Sequence, residues 1–265
     1  MRIRCFRLIG ILLAVTVACC LTQAQPADRE VLVQTSIIDA LLDGGFDGEM
    51  TYAQLSRYGD FGIGTFNGLD GEMIAFDGAI WQIKADGKAC RVDPATAHTP
   101  FAAMTFFDTD YYAQVPAGTD FAALTKLIDS LVPSSNYFYA IRVDGIFKYM
   151  KTRSVPGQKR PYPPLVEVTK NQPEFEFHSV VGTIVGFRCP PFAKGVNVVG
   201  DHLHFLNIAR TGGGHVLAFK VEQAVISIDL TSRYYLMLPT TIAEFAGTDL
   251  SKDREKELHE AEKDK

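Results

Sequence analysis

From residue 174 to residue 238 the chain reads almost without pause as extended backbone. The segments 174–187, 196–208, 215–230 and 233–238 are rich in β-branched and aromatic residues, and short gaps holding Gly, Pro or Asn separate them. Strands leave their N–H and C=O groups to be satisfied by neighbours, so a run of this kind must pair into sheets. The first half repeats the theme. Asn67-Gly68, Asp77-Gly78 and Asp86-Gly87 are hairpin-type turn dipeptides, and strand-like segments 61–66, 72–76 and 79–84 lie between them, an antiparallel meander. Residues 102–107 read as a further strand. Residues 136–143 and 146–155 are expected to form a hairpin about Asp144-Gly145.

Helices are few. One starts near residue 35 and stops at Gly44. A second is announced by Thr51 and Gln54, whose spacing is that of a capping box, and is expected to end at Gly59. A third spans 120–132, with Thr119 or Asp120 as cap and Pro133 just beyond. Strands outnumber helices and do not alternate with them, so the class is α+β rather than a doubly wound parallel sheet.

The amino terminus is built differently. Three arginines precede an apolar run at 8–21, and Thr22-Gln23-Ala24 follows. This is the pattern of a secretory signal cleaved near Ala24, because the run is short for a membrane span. The expected organisation is a signal at 1–24, an α+β lobe at 25–160, and a β-rich lobe at 161–265 with a charged tail at 251–265. The Pro-rich stretch 157–164 joins the lobes. Cleavage removes three positive charges and leaves 23 basic against 31 acidic side chains, a balance that disfavours a nucleic-acid partner. The product is expected to be secreted or periplasmic, with no membrane attachment after cleavage. Only Cys90 and Cys189 remain in it, as a pair or as two free buried thiols; two cysteines define no disulfide framework.

The chemistry-bearing stretch is Gly200-Asp201-His202-Leu203-His204, followed by Gly212-Gly213-Gly214-His215. On a strand, His202 and His204 point to one face while Leu203 and Phe205 point to the other. Three histidines leave a fourth position open on a zinc ion, as a catalytic site requires. Spacing alone also suits ordinary surface histidines. A tight turn at Thr211-Gly212 would put His215 opposite Ile208, about 13 Å along the strand from His204. One metal can therefore reach both only if residues 207–214 form a wider loop, or if His215 comes from an unpaired strand.

Longer motifs extend this reading. Thr65-Phe66-Asn67-Gly68-Leu69-Asp70-Gly71-Glu72-Met73, Tyr139-Ala140-Ile141-Arg142-Val143-Asp144-Gly145, Lys151-Thr152-Arg153-Ser154-Val155-Pro156 and the three-histidine segment together resemble the acetolactate decarboxylase family across residues 35–238. The resemblance implies a β-rich, two-lobed architecture of mixed and antiparallel sheets with a few short helices and a metal site between the lobes. It implies a homodimer, and a zinc-dependent conversion of 2-acetolactate to acetoin and carbon dioxide. It implies His202, His204 and His215 as metal ligands, Glu72 and Arg153 as catalytic groups facing the metal, and Thr65 with Arg153 binding substrate. A tail glutamate is expected in the site, with Glu262 the best match and Glu257 and Glu260 its rivals.

The residue types suit that reaction. Loss of carbon dioxide from a 2-hydroxy-3-keto acid leaves electron density for the neighbouring carbonyl, and a divalent metal is a suitable electron sink for the enediolate. Arg153 can hold a carboxylate by a forked pair of bonds. Either Glu72 or Arg153 is the proton donor. Two other readings compete: a cupin-like metalloenzyme, weakened because residues 205–210 hold no acid, and an exported binding protein on the same scaffold, weakened because the His, Glu and Arg set is intact. His98, His178 and His259 read as ordinary surface or loop histidines.

Overall fold

The computed structural model describes residues 29–262. The expected signal at 1–24 and the last three residues of the tail lie outside the described residues. The meander is present: β3 (Phe61–Thr65), β4 (Glu72–Phe76), β5 (Ala79–Ile83) and β6 (Ala89–Arg91) pair antiparallel in chain order. Ahead of it, β1 (Val31–Thr35) pairs with β8 (Ala102–Thr105), which pairs with β3. At the far end of the chain β14 (Arg233–Met237) returns to pair in parallel with β1, completing a mixed sheet in the order β14-β1-β8-β3-β4-β5-β6. A two-strand ladder of β2 (Met50–Thr51) and β7 (His98–Thr99) stands beside it.

The second sheet is antiparallel and built from long strands. Its order is β10 (Phe138–Arg153), β11 (Glu174–Cys189), β12 (Gly200–Asn207), β13 (Gly213–Thr231) and β9 (Tyr111–Val115). Because β10 also pairs with β13, the four long strands close on themselves. The enclosed core holds Tyr139, Ile141, Phe147, Leu203, Phe205, Phe219 and Ile226, capped by Leu124 and Ile128 of α3 (Phe121–Leu131). Asp120 caps α3 by accepting from the Ala123 N–H at 3.0 Å. A second core, with Phe61, Ile63, Ile74 and Phe76 facing Phe138, Val185, Phe187 and Leu206, binds the two sheets face to face.

The sheets do not follow a division of the chain at residue 160. Strands β9 and β10 precede it yet join the second sheet, while β14 follows it yet edges the first. Asp144-Gly145 is not a turn either, and β10 runs straight through it. Asp144 is held in the strand by Arg142 and the Thr183 hydroxyl. Gly145 lies where β13 comes close: a Cβ there would sit 2.3 Å from the Gln223 carbonyl oxygen. The glycine serves backbone approach rather than reversal.

Short helices fill the margins. In α1 (Ile38–Leu42) the chain stops at Gly44, which has φ +95°. In α2 (Tyr52–Leu55) both capping-box bonds between Thr51 and Gln54 are made, and the helix ends four residues short of Gly59. Between the Pro-rich loop and β11 lies α4 (Leu165–Thr169), and α5 (Ala243–Gly247) precedes the tail. The charge-rich tail reads as either a solvated helix or a frayed end. It forms α6 (Glu255–Glu262), which packs Leu258 and Ala261 against Ile38, Leu41, Leu165 and Val198. Buried Arg254 bonds Asp43 and Glu257, and Lys194 grips Asp253 and Glu255. Cys189 is buried and Cys90 is exposed on the edge strand β6; both are free thiols.

Candidate metal centre

Two rows of side chains meet where the sheets face each other. Residues directly opposite in an antiparallel pair project to the same face. In the second sheet His204 of β12 is opposite His215 of β13, and His215 is opposite Arg153 of β10. In the first sheet Thr65 of β3 is opposite Glu72 of β4. Alternation places Glu72 on the face of Ile74 and Phe76, toward the second sheet, and sends Met73 and Ala75 to the other core. Gly71, with φ +90° and the Ile83 carbonyl 2.2 Å from where its Cβ would stand, lets the chain turn into Glu72.

The loop between β12 and β13 is the wider one the metal reading demands. Asn207 N–H bonds the Gly212 carbonyl, and the Asn207 side chain accepts from the Thr211 N–H, so four residues are spanned rather than two. His215 thereby meets His204 instead of Ile208.

One nitrogen of each of the three histidines comes within 4.8 Å of the others, and all three rings are buried. His204 Nδ1 donates to the Met73 carbonyl at 2.9 Å, so its Nε2 carries the lone pair; that atom is buried with no hydrogen-bond partner. His215 Nε2 lies 3.3 Å from the Glu262 carbonyl, which leaves Nδ1 facing inward. His202 Nε2 is 3.2 Å from that Nδ1. Burial holds His202 and His204 down at about 3 and His215 well below the usual imidazole range, with the Arg153 charge adding to the effect. Neutral imidazoles with lone pairs converging at this spacing are what a tetrahedral metal binds, since bonds of about 2.1 Å put neighbouring ligand nitrogens roughly 3.4 Å apart. The bond from His204 to Met73 also fixes ring and tautomer as outer partners of metal ligands do. The donor set fits a metal cofactor.

Acidic and basic groups close the site. Glu72 Oε2 is 3.5 Å from His204 Nε2. Burial raises the Glu72 carboxyl to about 8, with Arg153 opposing and Glu262 reinforcing the shift. Glu262 Oε2 stands 3.5 Å from Arg153, 3.6 Å from His202 and 3.7 Å from His215. Glu257 pairs with Arg254 and Glu260 lies toward Lys256, so of the three tail candidates only Glu262 reaches the centre. Arg153 is 3% exposed; its Nη1 donates to Gln172 at 2.6 Å and its Nε has no partner. The Thr65 hydroxyl donates to the Gly71 carbonyl at 2.7 Å. The cavity enclosed by these groups is about 40 Å³, and Ile38, Leu41, Leu69, Phe101, Val155 and Leu165 form its apolar wall. His98, His178 and His259 lie away from it. Gln172 escaped the sequence reading, because a lone glutamine between a short helix and a strand carries no motif.

A buried polar cluster with a three-histidine set that fits a metal, lying where two β-sheets face each other, marks an α+β protein with a candidate metal centre. The sequence pattern of the alpha-acetolactate decarboxylase family matches residues 32–252, and the chain belongs to that family. The alpha-acetolactate decarboxylase of Methylococcus capsulatus is 51% identical over 235 residues, 89% of each chain. That of Bacillus subtilis is 43% identical over 226 residues, covering 85% of this chain and 87% of the relative. The crystal structure of the Bacillus subtilis strain 168 enzyme superposes with a TM-score of 0.86 at 41% identity, over 88% of this chain and all of that one.

Proposed function

We propose that this chain is a zinc-dependent carboxy-lyase that converts 2-acetolactate to acetoin and carbon dioxide. Its membership of the family supports the reaction. The observation that carries the assignment of residues is the meeting of the His204–His215–Arg153 row with the Thr65–Glu72 row inside one buried cavity. His202, His204 and His215 would hold the ion, which would supply Lewis acidity toward the ketone and hydroxyl oxygens of the substrate.

The chain's own groups do the rest. Arg153 holds the carboxylate through its unpartnered Nε and a terminal N–H, orienting the bond to be broken. Glu72 is the proton donor. Burial favours the protonated form of its carboxyl, whereas a guanidinium does not deprotonate in a protein. Glu72 delivers that proton to the carbon vacated by carbon dioxide and recovers one from solvent. Thr65 lines the same face, Glu262 balances the Arg153 charge, and the apolar wall keeps bulk water from quenching the electron-rich carbon.

Acetoin release from racemic acetolactate, measured before and after chelation and zinc return, tests the proposal. Zinc-restorable turnover that is lost in His204→Ala supports it. A folded, zinc-loaded protein that releases no acetoin refutes it. The segment 1–24 supports export, so the enzyme works outside the cytoplasm on acetolactate that has left the cell or formed there. Intact Met1 on protein from the cytosolic fraction would refute that. The active form is a homodimer; light scattering at a single subunit mass would count against it.

A further inference from the structure

Arg153 ends β10, and the next residue, Ser154, donates its N–H to the Pro173 carbonyl at 3.2 Å. That bond pins the chain beside Gln172, whose side-chain oxygen accepts from Arg153 Nη1 at 2.6 Å. The residue before a proline is restricted to extended backbone, so Pro173 narrows the conformations open to Gln172. Just upstream, α4 anchors the same corner through buried Leu165 and Val168. Gln172 is thus fixed from both sides.

The choice of an amide matters. A guanidinium that is 3% exposed needs acceptors, and a carboxylate is the usual one. Glu262 already stands 3.5 Å from the guanidinium, so a carboxylate at 172 would be a second negative charge beside it and would repel a substrate carboxylate. An amide oxygen holds one arm of the fork at 2.6 Å without adding charge. The buried Nε then has no partner in the protein, which is the state of a donor reserved for a ligand. We propose that Gln172 is a positioning residue that aims the Arg153 guanidinium without adding a second negative charge beside it, and so sets the site's preference for a substrate bearing a carboxylate. This rests on the role given above to Arg153.

The test is binding without turnover. The probe is 2-hydroxy-2-methylpropanoate, a carboxylate with no ketone to receive electrons, compared with its uncharged amide. Calorimetry on zinc-loaded protein gives both affinities. Gln172→Glu keeps size and acceptor but adds a charge, and should weaken the carboxylate at least tenfold while leaving the amide within twofold. Gln172→Met keeps volume without the acceptor and should weaken the carboxylate severalfold, with KM for acetolactate rising more than kcat falls. Zinc stoichiometry and circular dichroism should match the parent in both. Parent-like carboxylate affinity in Gln172→Glu overturns the inference, as does a parent protein that does not bind the carboxylate. Carboxylate binding that responds to these variants in a protein releasing no acetoin would refute the proposed reaction and leave this inference standing.

Discussion

Two carboxyls far apart in the molecule are pushed the same way by burial and do different work. Glu72→Gln keeps the shape of the site and removes its proton. General-acid catalysis is worth about 10²–10⁴ in rate, so kcat should fall by that order with zinc content unchanged; a near-parental kcat would pass the proton donor's role to another group. Asp229 is remote from the histidines. It is 1% exposed, one oxygen accepts from the Asp108 N–H at 3.2 Å, and the other has no partner. Burial raises it to about 7; the Asp108 N–H opposes this, and the charges of Asp110, Glu30 and Asp108 add to it. Its folded value thus lies above the 3.8 of a free aspartate. Below that value both states are protonated and nothing is gained or lost. As pH rises toward 7 the unfolded chain releases the proton while the folded one keeps it, so stability falls across this window and levels off above it. Asp229→Asn should flatten that fall and make the protein more stable at pH 8, by up to a few kcal/mol. Denaturant midpoints at pH 5 and pH 8 decide it: an unchanged difference between them would mean that Asp229 ionises freely.

At the scale of elements, β10 is the strand on which the second sheet closes and on which Arg153 is delivered. Gly145→Ala should destabilise the fold by about 1–3 kcal/mol, the usual cost of forcing extra volume into packed structure, because the added carbon meets backbone on β13 rather than a movable side chain. A midpoint within error of the parent would mean that β10 and β13 separate easily there. The same residue marks a limit of sequence reading. Asp-Gly is the pair a hairpin turn wants, and glycine is also what a strand wants where another strand presses against it; local sequence does not distinguish the two. The meander at 61–83 was legible because its Asn-Gly and Asp-Gly pairs coincide with breaks in alternation. The Thr51–Gln54 capping box was legible because both partners are local. Strand β9 was not, since its pairing with β13 is long-range. In the site, His202 and His204 were legible from alternation, whereas the meeting of His204 with His215 depends on the Asn207 side chain holding a four-residue loop. In α6 the abundance of charge hid a stripe at Arg254, Leu258, Ala261 and Glu262, spaced i, i+4, i+7 and i+8, which is the inward face of a helix.

That stripe bears on the molecule as a whole. The two sheets meet through a core that α6 does not enter, so the scaffold stands without it. The site does not. Glu262 lines both the cavity of about 40 Å³ that holds the polar cluster and a neighbouring one of about 400 Å³ bordered by Phe121, Val198 and Leu217, and His202 and His215 line both as well. The smaller space has room for roughly three waters. Glu262 is a wall shared by the two spaces. Exposed pairs such as those of Lys194 contribute little, whereas Arg254, Leu258 and Ala261 are packed inward and supply most of the grip. Deleting residues 253–265 should leave the far-UV circular dichroism close to that of the parent, because the sheets persist. It should also merge the two cavities and open the histidines to solvent. Zinc release to a chromogenic chelator is then expected to accelerate at least tenfold, with acetoin turnover falling in parallel. Unchanged release from a folded truncated protein would mean that the strand row of His204, His215 and Arg153 shields the ion unaided, and that α6 matters to the reaction only through the charge of Glu262.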